Sequence, residues 1–356
     1  MKIRMALFGM VCLASLFLFS HLAWAVDVST GEDRPTSMQL MERAETIVYG
    51  EPGRGGLIER LNSIERELFG RDLPGSISER HAAILNFLEV GTLEQPSMLF
   101  RIGVAEWLIG EPAQPRRAAV SRVERLESDL DGTLQYGRPL AMRVERMLAV
   151  LVADRITSQE VIVPTATVLQ VQFLEELGPA TARAGNQVSL ALVNDLVVDN
   201  VLVAPRGSLI DVAVESVRQP GRFGRPSNIT FDYRSLIPLG PQRIPITAGE
   251  AARRAAEGAE GMIGAGAASL AGALILGPAG LLGGVFVRGN AVNIPQGTIM
   301  FVETSGHVRV FGYPVPESLR IEPQAAVQET TISAQPQRHV GGREVIKLPD
   351  EQQIVN

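Results

Sequence analysis

One cysteine, Cys12, occurs in the whole 356-residue chain, and it sits in the apolar N-terminal stretch. A chain cut after that stretch has no thiol, which excludes disulfides, cysteine metal sites and cysteine nucleophiles. Lysine is almost as scarce, with Lys2 and Lys347 at the two ends. Aromatic residues make up 5% and histidines number 4, so stacking platforms and imidazole clusters have little to draw on. The net charge is −6, and removing Lys2 and Arg4 takes it to −8. A chain of that sign lacks the basic face a phosphate backbone needs, so no nucleic acid is expected as a partner.

The N-terminus has the form of an export signal. Lys2 and Arg4 supply the basic region, Met5 to Ser20 the apolar region, and Ala23-Trp24-Ala25 the cleavage site. The expected division is a signal over 1–25, a polar flexible segment over 26–36, and a mature protein starting at Val26. The apolar region is short for a span of about 20 residues, which favours removal over retention as an anchor.

Residues 37–156 read as helices with an internal repeat. Gly50, Gly70, Gly91, Gly110 and Gly132 each follow a helical segment, as C′ residues do. Gly56-Leu57-Ile58-Glu59-Arg60 returns 20 residues later as Ser76-Ile77-Ser78-Glu79-Arg80. Leu57, Leu61, Ile64 and Leu68 share one helical face, and so do Val123, Leu126 and Leu130. One such helix cannot bury its stripe alone, so a small antiparallel bundle or stacked array is expected, serving as its own core or as a partner-binding scaffold.

From Val161 to about Ile321 the pattern is β. Ile210, Val212 and Val214 alternate with Asp211, Ala213 and Glu215. Asp199-Asn200 between two valine-rich segments reads as a two-residue hairpin turn. Val163-Pro164-Thr165-Ala166-Thr167, Pro205-Arg206-Gly207-Ser208 and Ile294-Pro295-Gln296-Gly297-Thr298 share the form Pro-x-small-Ser/Thr leading into a strand. Many short strands with such turns argue for a barrel or sandwich. The whole therefore reads as an α+β protein: an N-terminal helical repeat or bundle, then a β-domain over 161–321, then a polar tail over 322–356 without the composition to fold.

Within the β-domain lies an apolar insertion, residues 250–288. Its centre, Met262 to Val287, has no charged side chain and holds seven Gly and six Ala. Gly264, Ala268, Gly272, Gly280 and Gly284 have the spacing that lets helices approach closely, in membranes or in oligomers. Three forms compete. One helix of that length would reach ~39 Å, enough to cross a bilayer. A helical hairpin could turn at Gly277-Pro278, or a Gly/Ala hairpin could cover the barrel. The third Pro turn lies beyond the run, so strands on both sides belong to one domain. A single span would part them, which favours a hairpin that returns to its origin.

Motifs suggestive of catalysis fail on context. Asp129-Leu130-Asp131-Gly132-Thr133 copies a phosphatase signature but follows a charged amphipathic helix rather than a buried strand. It also lacks the ligands of a calcium loop. Ile263-Gly264-Ala265-Gly266 has neither the strand nor the acidic ribose ligand of a dinucleotide turn. His81, expected on a helix surface, shares no ligand spacing with His307 or His339. Asn228-Ile229-Thr230 fits a glycosylation sequon and reads as strand. No catalytic residue, cofactor or metal is assigned, and the protein is read as not an enzyme. Arg218, Arg222 and Arg225 around Pro220-Gly221 form a possible contact for an anionic headgroup or partner.

The β-region resembles a known pattern. The order is the turn and strand from Pro164 to Phe173, Ala184-Gly185-Asn186-Gln187-Val188, and Val197 to Ser208. Then come Gly221-Arg222-Phe223-Gly224-Arg225, the strand around Phe231, Ile244-Pro245-Ile246, the Gly-rich insertion and Ile294 to Thr298. It is similar to an uncharacterised group of exported bacterial envelope proteins. More distantly it resembles the β-barrel domain of TrbI-like conjugation and type IV secretion channel proteins. That resemblance covers Val161 to Glu303 and implies a barrel with an inserted helical hairpin, assembling into a ring and contacting the outer membrane. The N-terminal part departs from it, with no retained anchor followed by a long proline-rich linker.

The expected function is a non-enzymatic structural or assembly component of the cell envelope. It would sit in the periplasm, in contact with the outer membrane, as a homo-oligomer or with an envelope partner, touching a membrane through 262–287. The alternatives are a soluble periplasmic binding module for a peptide or polymer, and a component of a secretion channel.

Overall fold

Helices come first and strands second, as the change of period at about Val161 requires. The computed structural model describes residues 35–219, 227–264, 285–287 and 293–320. The signal and most of 26–36, Arg222 and Arg225, the centre of the apolar run and the segment 322–356 lie outside them.

Six helices lead: α1 (Ser37–Tyr49), α2 (Leu57–Phe69), α3 (Ile77–Leu85), α4 (Met98–Leu108), α5 (Ala119–Asp131) and α6 (Leu140–Leu151). Thr36 with Gln39 and Ser76 with Glu79 close capping boxes at α1 and α3. Gly50, Gly70 and Gly132 end α1, α2 and α5 in the left-handed region. Leu61, Ile64 and Leu68 are fully buried, and Leu57 packs partly buried against the same core. The Asp129–Gly132 stretch is the last turn of α5 and its cap, with Asp129 on the surface near Arg125.

The repeated Glu-Arg dipeptides have a role that periodicity alone does not show. Arg60 forks onto Glu45 through Nε and Nη2 at 2.9 and 2.5 Å, and Arg80 onto Glu65 at 2.8 and 2.6 Å. Arg122 holds Glu106 and Arg143 holds Glu127 in the same way. Each carboxylate also accepts a backbone N–H eight residues on, from Gly53, Leu73, Gln114 and Gln135 respectively. One helix thus holds, through one buried ion pair, both the loop that follows it and a later helix. Burying two charges costs several kcal/mol per ion, offset here by the two-bond fork and by the backbone N–H that each carboxylate also accepts.

The strands are β1 (Gln159–Val163), β2 (Val168–Phe173), β3 (Gln187–Leu192), β4 (Leu196–Val198), β5 (Val201–Ala204) and β6 (Leu209–Arg218). Then come β7 (Ser227–Leu236), β8 (Ile244–Thr247), the helix α7 (Glu250–Gly264), β9 (Val285–Val287), β10 (Ile299–Thr304) and β11 (Val308–Pro314). Six strands close a barrel in the order β6-β3-β2-β10-β8-β7, with β7 paired back to β6. Two register shifts along the β6–β7 seam let these ten-residue strands bend enough to close the ring. Val171, Val212, Leu236, Ile244 and Val302 are fully buried within it, and Phe173 meets Phe231 at 5.9 Å.

Four turns lock the barrel with one geometry. In each, the third residue has positive φ: Ala166 (57°), Gly185 (86°), Gly207 (86°) and Gly297 (80°). That residue donates its N–H to the carbonyl of Thr304, Val214, Leu192 or Phe173, whose own N–H returns to the fourth turn residue. Three are the proline turns expected from the sequence. The fourth, Arg183-Ala184-Gly185-Asn186, has no proline.

A second sheet, β1-β11-β5-β4, extends the β-part beyond a single barrel. Its β4–β5 hairpin turns at Asp199 and Asn200, both at positive φ. Leu202 and Tyr313 from this sheet, and Val315 just beyond β11, are buried in the helical core, where the Tyr313 ring meets Trp107 edge-on at 6.1 Å. Trp107 Nε1 donates to Asp195 at 2.8 Å, and Ala113 N donates to Arg206 O at 2.8 Å.

Candidate functional site: the root of the apolar insertion

The apolar run leaves and rejoins one barrel. β8, before it, and β10, after it, are adjacent, with Glu303 opposite Thr247 and Thr304 opposite Ile246. The run is entered through α7. Gly249 precedes the helix, and Arg253 N donates to its carbonyl at 3.1 Å. Glycine has no side chain to cap the first turn. Glu303 of β10 does it instead, accepting from Ala252 N at 2.7 Å. A carboxylate suits the positive end of a helix dipole. A Cβ on Gly249 would lie 2.0 Å from Glu303 Oε1, so glycine is what lets the carboxylate reach the helix. Ala252 and Ala256 are fully buried, and α7 packs on β10 and β2.

The run ends on β9, which is extended and not helical. Val285 to Val287 pair antiparallel with Ile229 to Ser227 at the start of β7. Those β7 residues also pair with the end of β6, where Arg218 lies opposite Asn228, and Asn228 opposite Phe286. The exposed Arg218 therefore shares a register row with the strand that closes the run. Gly264 is the last residue of α7. Ala268, Gly272, Gly277, Pro278, Gly280 and Gly284 lie outside the described residues, with Arg222 and Arg225.

No described helix is long and apolar enough to cross a membrane. Among the described residues no group of three or more His, Cys, Asp or Glu is placed to hold a metal ion. His81 is not on a helix surface. It is 1% exposed, and neither ring nitrogen has a hydrogen-bond partner among the described residues. Burial, and then the neighbouring Arg80 charge, push its pKa below the ordinary histidine value, against a smaller upward pull from Glu65. His307 is exposed on the turn before β11, and His339 lies outside the described residues.

Sequence reasoning missed Glu303, a lone acid in an apolar strand. Its signal was position: it is the one charged residue of β10, the strand that follows the run. Comparison of the chain with protein-family models and with curated proteins returns no match.

Proposed function

We propose that this protein is a non-enzymatic assembly component of the cell envelope. Its barrel is a rigid base for a Gly/Ala-rich hairpin that enters a membrane or packs against other copies. The helical repeat is the spacer or partner-binding arm, and Arg218, with Arg222 and Arg225, contacts anionic groups beside the hairpin. The observation that carries this reading is the anchoring of both ends of an uncharged run on one barrel, by the Glu303 cap on α7 and by β9 on β7. A segment held at both ends returns to its origin, as a hairpin must. Small residues at four-residue spacing provide the contact face.

The test compares the full-length protein with a form lacking residues 265–284, joined by a short Gly-Ser linker that keeps α7 and β9. The expected result is membrane association or a discrete oligomer in detergent for the first, and a monomer in buffer for the second. Identical fractionation of both forms overturns the reading. The competing reading, a soluble binding module, is favoured by an apolar cleft of 600 Å3 between the loop around Pro112–Arg117 and the barrel residues Leu174, Val193 and Leu209. It predicts that the deletion changes nothing.

A further inference from the structure

The helical part is one unit repeated, and one of its joints lacks a part that the others have. Arg60, Arg80, Arg101, Arg122 and Arg143 recur every 20 or 21 residues, and each is the fourth residue of its helix, α2 to α6. Five places on stand Glu65, Glu106 and Glu127 in α2, α4 and α5. With Glu45 of α1, these glutamates receive the fork of the arginine in the next helix and one N–H of the loop between. Four of the five joints between consecutive helices are closed in this way. In α3 the same place holds Leu85, and the α3–α4 joint has no such glutamate. In α6 it holds Leu148, and no further helix of the repeat follows.

Arg101 shows what the missing carboxylate leaves behind. Its side chain is 11% exposed, and its Nε is buried with no acceptor among the described residues. Its Nη1 reaches Glu145, which ties α4 to α6 and not to α3. Toward α3 the guanidinium meets the ring of Phe87, 5.5 Å from its centre, a contact without the bidentate geometry of a fork. α3 departs from the repeat at a second place. Its His81, buried with both ring nitrogens unpartnered among the described residues, stands where the other helices have Leu61, Ile102, Val123 and Val144. The stretch from Arg80 to Gly91 is also one residue longer than Arg60 to Gly70 or Arg122 to Gly132, and Asn86–Val90 takes up the extra residue as a π-helical turn. A cavity of 510 Å3 lies against this turn and the loop 91–96, so the joint has room to move.

We propose that the α3–α4 joint is a hinge built into the helical part, the place where it opens first. In a repeat array stability is close to a sum of the units and of the interfaces between neighbours. An interface short of one buried ion pair and one loop anchor therefore yields before the rest. The clamped joints stay closed and move with their helices. α1 packs on α5 and α2 on α6, which keeps the two halves together while the joint opens. The hinge follows from the repeat alone and does not depend on what the apolar run contacts.

The test is native-state hydrogen exchange of the full mature chain, read at the amides that close the helices. Gly91 N donates to Asn86 O, as Gly50, Gly70 and Gly132 N donate to the carbonyls of Thr46, Arg66 and Ser128. Gly91 is expected to exchange about tenfold faster than the other three, the worth of one charge-assisted hydrogen bond. Leu85→Glu supplies the missing carboxylate and is expected to slow Gly91 to their level. If Leu85→Glu folds poorly, Glu127→Gln carries the test. It weakens the fork at the α5–α6 joint and is expected to speed Gly132 toward the rate of Gly91, with Gly50 unchanged. Exchange at Gly91 no faster than at the other three, a folded Leu85→Glu that leaves Gly91 as it was, or a Glu127→Gln that leaves Gly132 as it was would each overturn the proposal.

Discussion

Glu303 of β10 accepts the Ala252 N–H at 2.7 Å, so a strand that follows the apolar run caps the helix that leads into it. The start of the insertion is thereby tied to a barrel strand through one side chain that is 9% exposed. Glu303→Ala should cost about 1–2 kcal/mol, because it strips a charge-assisted bond from a helix N-terminus. Gly249→Ala should reproduce it by pushing the carboxylate away. Faster amide hydrogen exchange at Ala252, with the barrel amides unchanged, is the expected signature. Unchanged protection at Ala252 would show that α7 is held by packing alone.

The buried ion pairs are expected to be asymmetric under mutation. Glu127→Ala leaves Arg143 buried without its acceptor and should cost about 3–5 kcal/mol. Replacing both, Glu127→Leu with Arg143→Met, should cost much less, since no charge is left stranded. Urea denaturation of the two forms tests this. Equal losses would mean that the loop anchored by Gln135 N–H, and not the stranded charge, carries the effect.

Acid should loosen two of these clamps, those of Glu45 and Glu127. Burial raises the Glu45 and Glu127 carboxyls, but hydrogen bonds from Arg60 and Gly53 N, and from Arg143 and Gln135 N, outweigh it with the arginine charges. The net direction is down from the ordinary 4.5 in both. The unfolded chain then binds more protons than the folded one in this window. The stabilisation is complete above about pH 4.5 and is lost as pH falls through the depressed folded values. The urea midpoint should be flat from pH 7 to pH 5 and drop below that. Glu127→Gln, measured alongside, should show a shallower drop.

Ala166 is the one non-glycine at the positive-φ position of the four barrel turns. A left-handed conformation costs an L-residue about 1–2 kcal/mol, partly offset by the greater unfolded freedom of glycine. Ala166→Gly should therefore stabilise by about 0.5–1 kcal/mol. Gly207→Ala should destabilise by more, since its Cβ would lie 2.4 Å from the Ala113 carbonyl in the helix-to-barrel junction. Denaturant midpoints of the two variants should move in opposite directions.

Much of this fold is legible in the chain because it rests on local rules. Helical period placed Leu61, Ile64 and Leu68 in a core, and glycine marked the ends of α1, α2 and α5. Asp199-Asn200 announced a hairpin, and three prolines announced three of the four barrel turns. Those signals depend on backbone preferences within a few residues. The fourth turn escaped because Arg183-Ala184-Gly185-Asn186 reaches the same geometry without proline.

The rest depends on contacts between distant residues. A glutamate and an arginine on amphipathic helices look like solvated charge until packing buries them together, as with Glu127 and Arg143. His81 occupies a polar-looking position and is buried by neighbouring helices. Whether the strands made a sandwich or a ring was decided by the pairing of β6 with β7 and of β2 with β10. The sequence by itself determined the order of elements, their faces and their turns, because these follow from period and φ preference. Only the tertiary structure decided that Glu303 and β9 root the apolar run on one barrel, because that depends on which backbone groups meet across the closed ring.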